Sequence, residues 1–219
     1  MEKEFQKNLD SIFILGRGAS LLRCPVKKPK NVEYWGCNSA YRARDIDRLF
    51  IMHNPQMTQF RRDKELIDNI NKKEFPVYTL GKYKSIKNNI EYPVNEVIKE
   101  FDVAFFLTNI SYMLALAIIQ KPKSIHLFGV DMTFGAMNEY MRNEKGCIEF
   151  WLGVAIGKGI QFHLPVLSTL LKRKNRENFY GMLVKRDKDT KTIQISPQYW
   201  QNREKCAAKY KIERYSGVF

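Results

Sequence analysis

The chain has 219 residues, a formal net charge of +14 and 44% hydrophobic side chains. That length supports one well-packed core with decoration, and the apolar share excludes an intrinsically disordered chain. No apolar run approaches the roughly 18 residues of a membrane span, and the lead-in Met-Glu-Lys-Glu-Phe-Gln-Lys carries no apolar h-region, so no transmembrane segment, no secretory signal and a cytoplasmic location are expected.

Cys24, Cys37, Cys147 and Cys206 are scattered, with no C-x-x-C pair and no histidine at ligand spacing. They read as reduced thiols, and no metal site is expected. The positive charge is uneven. Residues 172–219 hold thirteen Lys and Arg against five Asp and Glu. A basic end of this kind suits nucleic acid, an anionic surface or a phosphorylated ligand, or it is a solvated face that aids solubility.

Residues 1–10 are a polar lead-in. Residues 12–15, Ile-Phe-Ile-Leu, form an apolar run of the kind found in strands buried on both faces. Gly16, Arg17, Gly18 and Ala19 then turn the chain, and Ser20 can cap a helix beginning at Leu21. Strand, glycine turn and helix N-terminus in that order place backbone N–H groups where a phosphate can sit. The third glycine of G-x-G-x-x-G is missing and no G-x-x-x-x-G-K-[ST] occurs, so neither nucleotide fingerprint is complete. A basic loop at 27–30 leads to a strand at 32–36 and a short helix at 39–44. A third strand at 48–52 stops at His53-Asn54-Pro55, and 56–70 has helical spacing. Residues 76–80 make a fourth strand, and 81–92 read as a polar connection.

In the second half, 103–106 reads as a strand, Thr108 or Asn109 as a cap, and 113–119 as an apolar helix. Residues 125–130 make a strand ending at Asp131. Ile148, Leu152, Ala155 and Ile156 give 144–156 the spacing of a packed helix, and Gly157 and Gly159 end it. Residues 160–164 form the next strand. Strands alternating with helices at this spacing predict an α/β fold: a mostly parallel sheet with helices on both faces. From residue 172 the pattern changes to a hairpin, 182–186 with 191–195, and a basic helix at 197–215. The expected division is therefore 1–171 as a nucleotide-binding domain and 172–219 as a basic C-terminal extension.

Ligands of open parallel sheets sit outside the carboxyl ends of the strands. Gly16, Gly18, Asn38, Asn54, Thr108, Asn109 and Asp131 all fall there. Asn and Thr offer donors and acceptors that suit a base and a ribose, although each is also a common turn former or cap.

The run IFILGRGASL, the WGCN at 35–38, the LFIMHNP at 49–55, the TNISYMLALAIIQKPKSIHLFGVD at 108–131 and the GKGIQFHLPVLSTLL at 157–171 together resemble the bacterial sialyltransferases of glycosyltransferase family 42. They are also similar to the pterin-pyrophosphokinase-like proteins, including uncharacterised phage and prophage chains. The resemblance implies a Rossmann-like fold over residues 12–171. It also implies that Gly16, Arg17, Gly18, Ala19, Ser20, Asn38, Asn54, Thr108 and Asn109 hold the donor nucleotide. Two departures stand out: Arg17 replaces a small polar residue and Ala19 a proline. The family's lid, with its general-base histidine and paired phosphate-binding tyrosines, is absent. Ile148 follows Asp131 by only seventeen positions, with no histidine between. Tyr140 can stand in for one phosphate-binding tyrosine, and Glu139 lies near where the base would fall.

Of the three histidines, His126 and His163 lie in apolar strands and read as core residues, whereas His53 sits at a strand end beside Asn54. Two functions follow. One is a nucleotide-dependent transferase, most simply a glycosyltransferase acting from a nucleotide-sugar donor on an anionic acceptor. Glu139, His53 or Asp131 would be its base, and Arg17, Tyr140 and the glycine turn would stabilise the leaving phosphate. The one D-x-D pair, Asp187-Lys188-Asp189, falls in the hairpin, so metal independence and no cofactor are expected. The other is a non-catalytic protein that sequesters or senses a nucleotide or binds nucleic acid through 172–219. A homo-oligomer is compatible with either.

Overall fold

The structure is a computed structural model, which describes residues 8–54, 64–133, 139–171, 183–186 and 193–196. It divides into two compact units, Met1–Leu170 and Leu171–Phe219.

The first unit is built on β1 (Ser11–Leu15), β2 (Val32–Cys37), β3 (Arg48–Phe50), β4 (Val77–Thr79), β5 (Asn89–Glu91), β6 (Ser124–Phe128) and β7 (Gln161–His163). These seven strands form one sheet in the order β5-β4-β3-β2-β1-β6-β7, and every pairing is parallel. Its helices are α1 (Lys64–Asn71), α2 (Val94–Phe101), α3 (Asn109–Ile119) and α4 (Glu139–Gly157). The expected Rossmann-like α/β fold is the one observed. The hairpin expected in the second unit is present as antiparallel β8 (Leu183–Arg186) and β9 (Ile193–Ser196). The helix expected at 197–215 lies outside the described residues, as does most of the expected 56–70 helix before α1.

Alternation along the strands supplies both faces of the sheet. Ile12, Ile14, Trp35, Phe50, Ile125 and Leu127 point into one core layer, shared with α3 and with Cys147, Ile148, Trp151 and Leu152 of α4. Phe13, Leu15, Tyr34, Leu49 and Val77 point into the other, with Leu21, Leu66 and Ile70. Apart from Tyr112, every α3 residue from Asn109 to Ile118 is buried, which accounts for its apolar sequence on all sides. Inside the first layer, Glu33 and Arg48 form a buried ion pair at 2.8 Å. Glu33 also accepts from the Trp35 indole at 2.8 Å, and Arg48 donates to the Tyr78 hydroxyl at 3.1 Å.

Several expectations need correction. Residues 103–106 are not a strand. Val103 and Phe106 pack against the helical layer, with Phe106 stacked on Tyr112 and Trp151 at 4.5 and 5.2 Å, while Ala104 and Phe105 are exposed. The Phe105 carbonyl accepts from the Trp151 indole at 2.8 Å and the Cys147 thiol at 3.3 Å, in place of a ladder partner. The segment read as a polar connection contains β5. There Asn89 donates to the Val77 carbonyl and to Thr79 Oγ1, tying the strand to β4. The helices expected after Gly18 and at 39–44 are single 3-10 turns, Ala19–Arg23 and Ala40–Arg42.

His126 is half-buried as expected of a core residue, stacked on Phe13 at 4.4 Å and hydrogen-bonded to Ser124 Oγ at 3.1 Å. His163 is exposed instead, because β7 is the last strand of the sheet. Among the described residues, no helix is long and apolar enough to cross a membrane.

Candidate functional site

The strand order reverses between β1 and β6, and a cleft of about 630 Å³ opens at the carboxyl ends there. That is the switch point at which open α/β sheets take their ligands. Gly16, Arg17 and Gly18 follow β1, Asn38 follows β2, His53 follows β3, and Asp131 follows β6. All line the cleft, as do Thr108 and Asn109 at the start of α3. Phe106, Tyr112, Tyr140 and Glu144 make the facing wall.

The glycine turn is fastened to the end of β6. Gly16 N–H donates to the Phe128 carbonyl and Gly18 N–H to the Gly129 carbonyl, both at 2.7 Å. Ser20 N–H donates to Asp131 Oδ2 at 2.8 Å, the Ser20 hydroxyl donates to Oδ1, and Ser20 Oγ accepts from Gly129 N–H at 2.7 Å. A Cβ at Gly16 would stand 2.3 Å from the Gly129 carbonyl oxygen, and one at Gly18 2.6 Å from Asp131 Oδ2. Gly18 itself is extended, at φ −73° and ψ 169°. Glycine is therefore required here by protein backbone and carboxylate approaching closely, not by a left-handed turn.

This corrects the expected phosphate cradle. The two glycine N–H groups and that of Ser20 are already used within the fold. Among the described residues nothing accepts from the N–H groups of Arg17 and Ala19, which are both exposed, so these are the turn's open donors. Ser20 is fully buried and caps nothing, because Gly18 occupies the N-cap position of the 3-10 turn.

An imidazole and two amides form the second group. His53 Nε2 lies 3.2 Å from Asn38 Oδ1 and 3.2 Å from Asn109 Nδ2. A protonated Nε2 donates to Asn38, and an unprotonated one accepts from Asn109. Burial holds the His53 pKa below its usual value, which favours the neutral ring. Asn109 is buried, and its Oδ1 accepts from Met52 N–H at 2.7 Å, which pins the end of β3 to α3. Thr108, rather than Asn109, is the cap. Its Oγ1 accepts from Ile110 N–H at 3.0 Å, and Ser111 completes the capping box. Asn38 has φ 51°, a left-handed conformation that asparagine tolerates better than most residues.

Tyr140, Glu144 and Ile148 recur every four residues on α4 and present one stripe to the cleft. Tyr140 is 64% exposed and stands one helical turn from Glu144, which is half-buried. Burial raises the Glu144 carboxyl above its ordinary value, and the Tyr140 hydroxyl partly opposes that. Glu139, the first residue of α4, is exposed and outside the cleft lining. Ala19 and Asn54 are likewise exposed and outside it. Sequence reasoning missed Glu144, Tyr112 and Thr133. The four-residue spacing from Tyr140 was the available signal for Glu144. Among the described residues, no three His, Cys, Asp or Glu side chains cluster so as to hold a metal ion.

A parallel sheet with helices on both faces and a cleft at its switch point is a Rossmann-like α/β fold. Among solved structures, the chain is similar to the sialyltransferase CstII from Campylobacter jejuni in complex with the substrate analogue CMP-3FNeuAc. The TM-score is 0.50 at 18% identity, over 90% of this chain and 100% of that one. It is also similar to an asparagine-to-alanine variant of the sialyltransferase CST-II in complex with CMP, with TM-score 0.50 and 17% identity over 92% and 98% of the two chains. No family model and no curated protein matches the sequence. The resemblance to bacterial sialyltransferases is thus one of fold.

Proposed function

We propose that the protein is a nucleotide-dependent transferase: a metal-independent glycosyltransferase that moves a sugar from a nucleotide-sugar donor to an anionic acceptor. The observation that carries this reading is the cleft itself. It sits at the switch point of a sialyltransferase-like sheet and joins an amide–imidazole group, Asn38, His53 and Asn109, to the arginine-bearing turn after β1. The amides and imidazole offer fixed donors and acceptors for a base and ribose. Arg17 is exposed along the cleft, where a guanidinium can neutralise a departing phosphate. CMP is the first nucleotide to try, since the similar sialyltransferases are seen with CMP and with CMP-3FNeuAc. The basic residues of 172–219 would attract the acceptor.

The test is a thermal-shift screen of the full chain against mono- and dinucleotides and nucleotide sugars. A ligand at 100 times its dissociation constant adds about 2.7 kcal/mol of stability. A shift with CMP or a CMP sugar, followed by release of CMP from the donor, supports the transferase. A shift without turnover returns the protein to sequestering or sensing, and no shift with any nucleotide removes both.

A further inference from the structure

Two of the carboxylates expected to serve as a base are disqualified by geometry. Both oxygens of Asp131 accept from Ser20, through its N–H and its hydroxyl, inside a residue only 5% exposed. Both oxygens are thus committed to fastening the β1 turn. Glu139 is exposed and lies outside the cleft lining. Glu144 has the placement that both lack: it lines the cleft one helical turn beyond Tyr140 and is half-buried. The helix that carries it is fixed from behind, because Trp151 and Cys147 donate to the Phe105 carbonyl and bury in the core.

Resting on the transferase reading, we propose that Glu144 is the general base of this cleft and that Tyr140 holds its carboxylate for the acceptor. In the step, the acceptor hydroxyl oxygen forms a bond to the anomeric carbon of the donor. The bond from that carbon to the donor phosphate oxygen breaks, and its electron pair leaves with the nucleotide monophosphate. The hydroxyl proton ends on Glu144. A base works best when its pKa lies near the operating pH, and burial moves Glu144 in that direction. The titratable groups lining the cleft with it are Tyr140 on its own helix, Tyr112 on α3, and Arg17, His53 and Asp131 at the strand ends, with Cys147 behind it on α4.

The experiment uses the full chain with CMP for binding calorimetry and CMP-N-acetylneuraminic acid as donor, with water as the acceptor and CMP release as the readout. Glu144→Gln should bind CMP within about twofold of the wild type. It should lower kcat by about 10²–10⁴-fold and abolish the acidic limb of the pH–rate profile. Glu144→Asp should keep that limb at reduced rate, and Tyr140→Phe should move it to higher pH. Full turnover in Glu144→Gln overturns the assignment while leaving the donor reading intact. Loss of CMP affinity together with turnover makes Glu144 a binding residue and also overturns it. A wild-type chain that binds CMP but releases none from this donor overturns it as well. A wild-type chain that does not bind CMP overturns the cytidine-donor reading, and the proposal with it.

Discussion

Ser20 and Asp131 stand 111 positions apart and meet through two hydrogen bonds, one from the Ser20 N–H and one from its hydroxyl. The same hydroxyl oxygen accepts from Gly129 N–H, so a single serine joins the turn after β1 to the loop after β6. Ser20→Ala leaves a buried carboxylate oxygen and the Gly129 N–H without partners. Leaving such groups unsatisfied costs about 1–3 kcal/mol each. Urea denaturation should show a lower midpoint at unchanged slope, and an unchanged midpoint would refute the clamp.

Gly18 tests the same junction from the other side. A side chain there either blocks a ligand phosphate in an otherwise intact protein or strains the junction itself. In the structure the first atom a Cβ meets is Asp131 Oδ2, at 2.6 Å. Gly18→Ala should therefore destabilise the empty protein by about 1–3 kcal/mol through overpacking. Thermal melting without nucleotide decides the matter: normal stability with lost CMP affinity would mean that the side chain blocks the ligand and leaves the junction intact.

Asn109 and Asn38 separate structure from recognition. Asn109→Ala removes the acceptor for Met52 N–H and should lower stability by about 1–3 kcal/mol. Asn38→Gly keeps the left-handed backbone while removing the amide. It should melt near the wild type and bind CMP about tenfold more weakly, the equivalent of about 1.4 kcal/mol. Equal losses of stability in the two variants would argue against this division.

The Glu33–Arg48 pair predicts a large effect away from the cleft. Glu33→Ala strands the Arg48 guanidinium in the core and also removes the acceptor for the Trp35 indole. Breaking a buried pair in this way costs about 3–5 kcal/mol. Equilibrium unfolding should show it, and a loss under about 1 kcal/mol would mean that Arg48 finds another partner.

His126 gives the pH dependence its sign. Desolvation, with the nearby His163 adding to it, lowers its pKa from 6.5 to about 4. The unfolded chain then binds the extra proton first, so stability is intact above pH 6.5 and declines as pH falls toward 4. His53, also lowered by burial, contributes in the same direction. His126→Phe should flatten the fall in melting temperature between pH 6.5 and 4. An identical slope in the variant would assign the effect elsewhere.

Metal independence is tested by adding EDTA to the CMP-release assay, where the expected result is no change in rate. Restoration of a lost activity by a divalent cation would overturn that part of the proposal.

The sequence by itself determined the parallel sheet, because the apolar runs at 12–15, 32–36 and 125–130 are too short for helices and are separated by helical segments or loops. It also determined where the cleft lies, since Gly16, Asn38, His53 and Asp131 each follow a strand and parallel strands bring their carboxyl ends to one edge. Val94, Val97, Ile98 and Phe101 carry the i, i+3, i+4, i+7 spacing of α2 in the sequence itself. Only the tertiary structure decided what the strand-end residues touch. Ser20 and Asp131 look like ligands in the chain and are a clamp in the fold, because hydrogen-bonding groups buried together satisfy one another before any ligand arrives. Residues 103–106 have the composition of a strand, yet the indole of Trp151 and the thiol of Cys147 take their backbone carbonyl. Glu139 and Glu144 are both acidic residues near the start of one helix. Five positions turn a helix through about 500°, so the two point in directions about 140° apart, and only packing against α3 decides which of them faces the cleft.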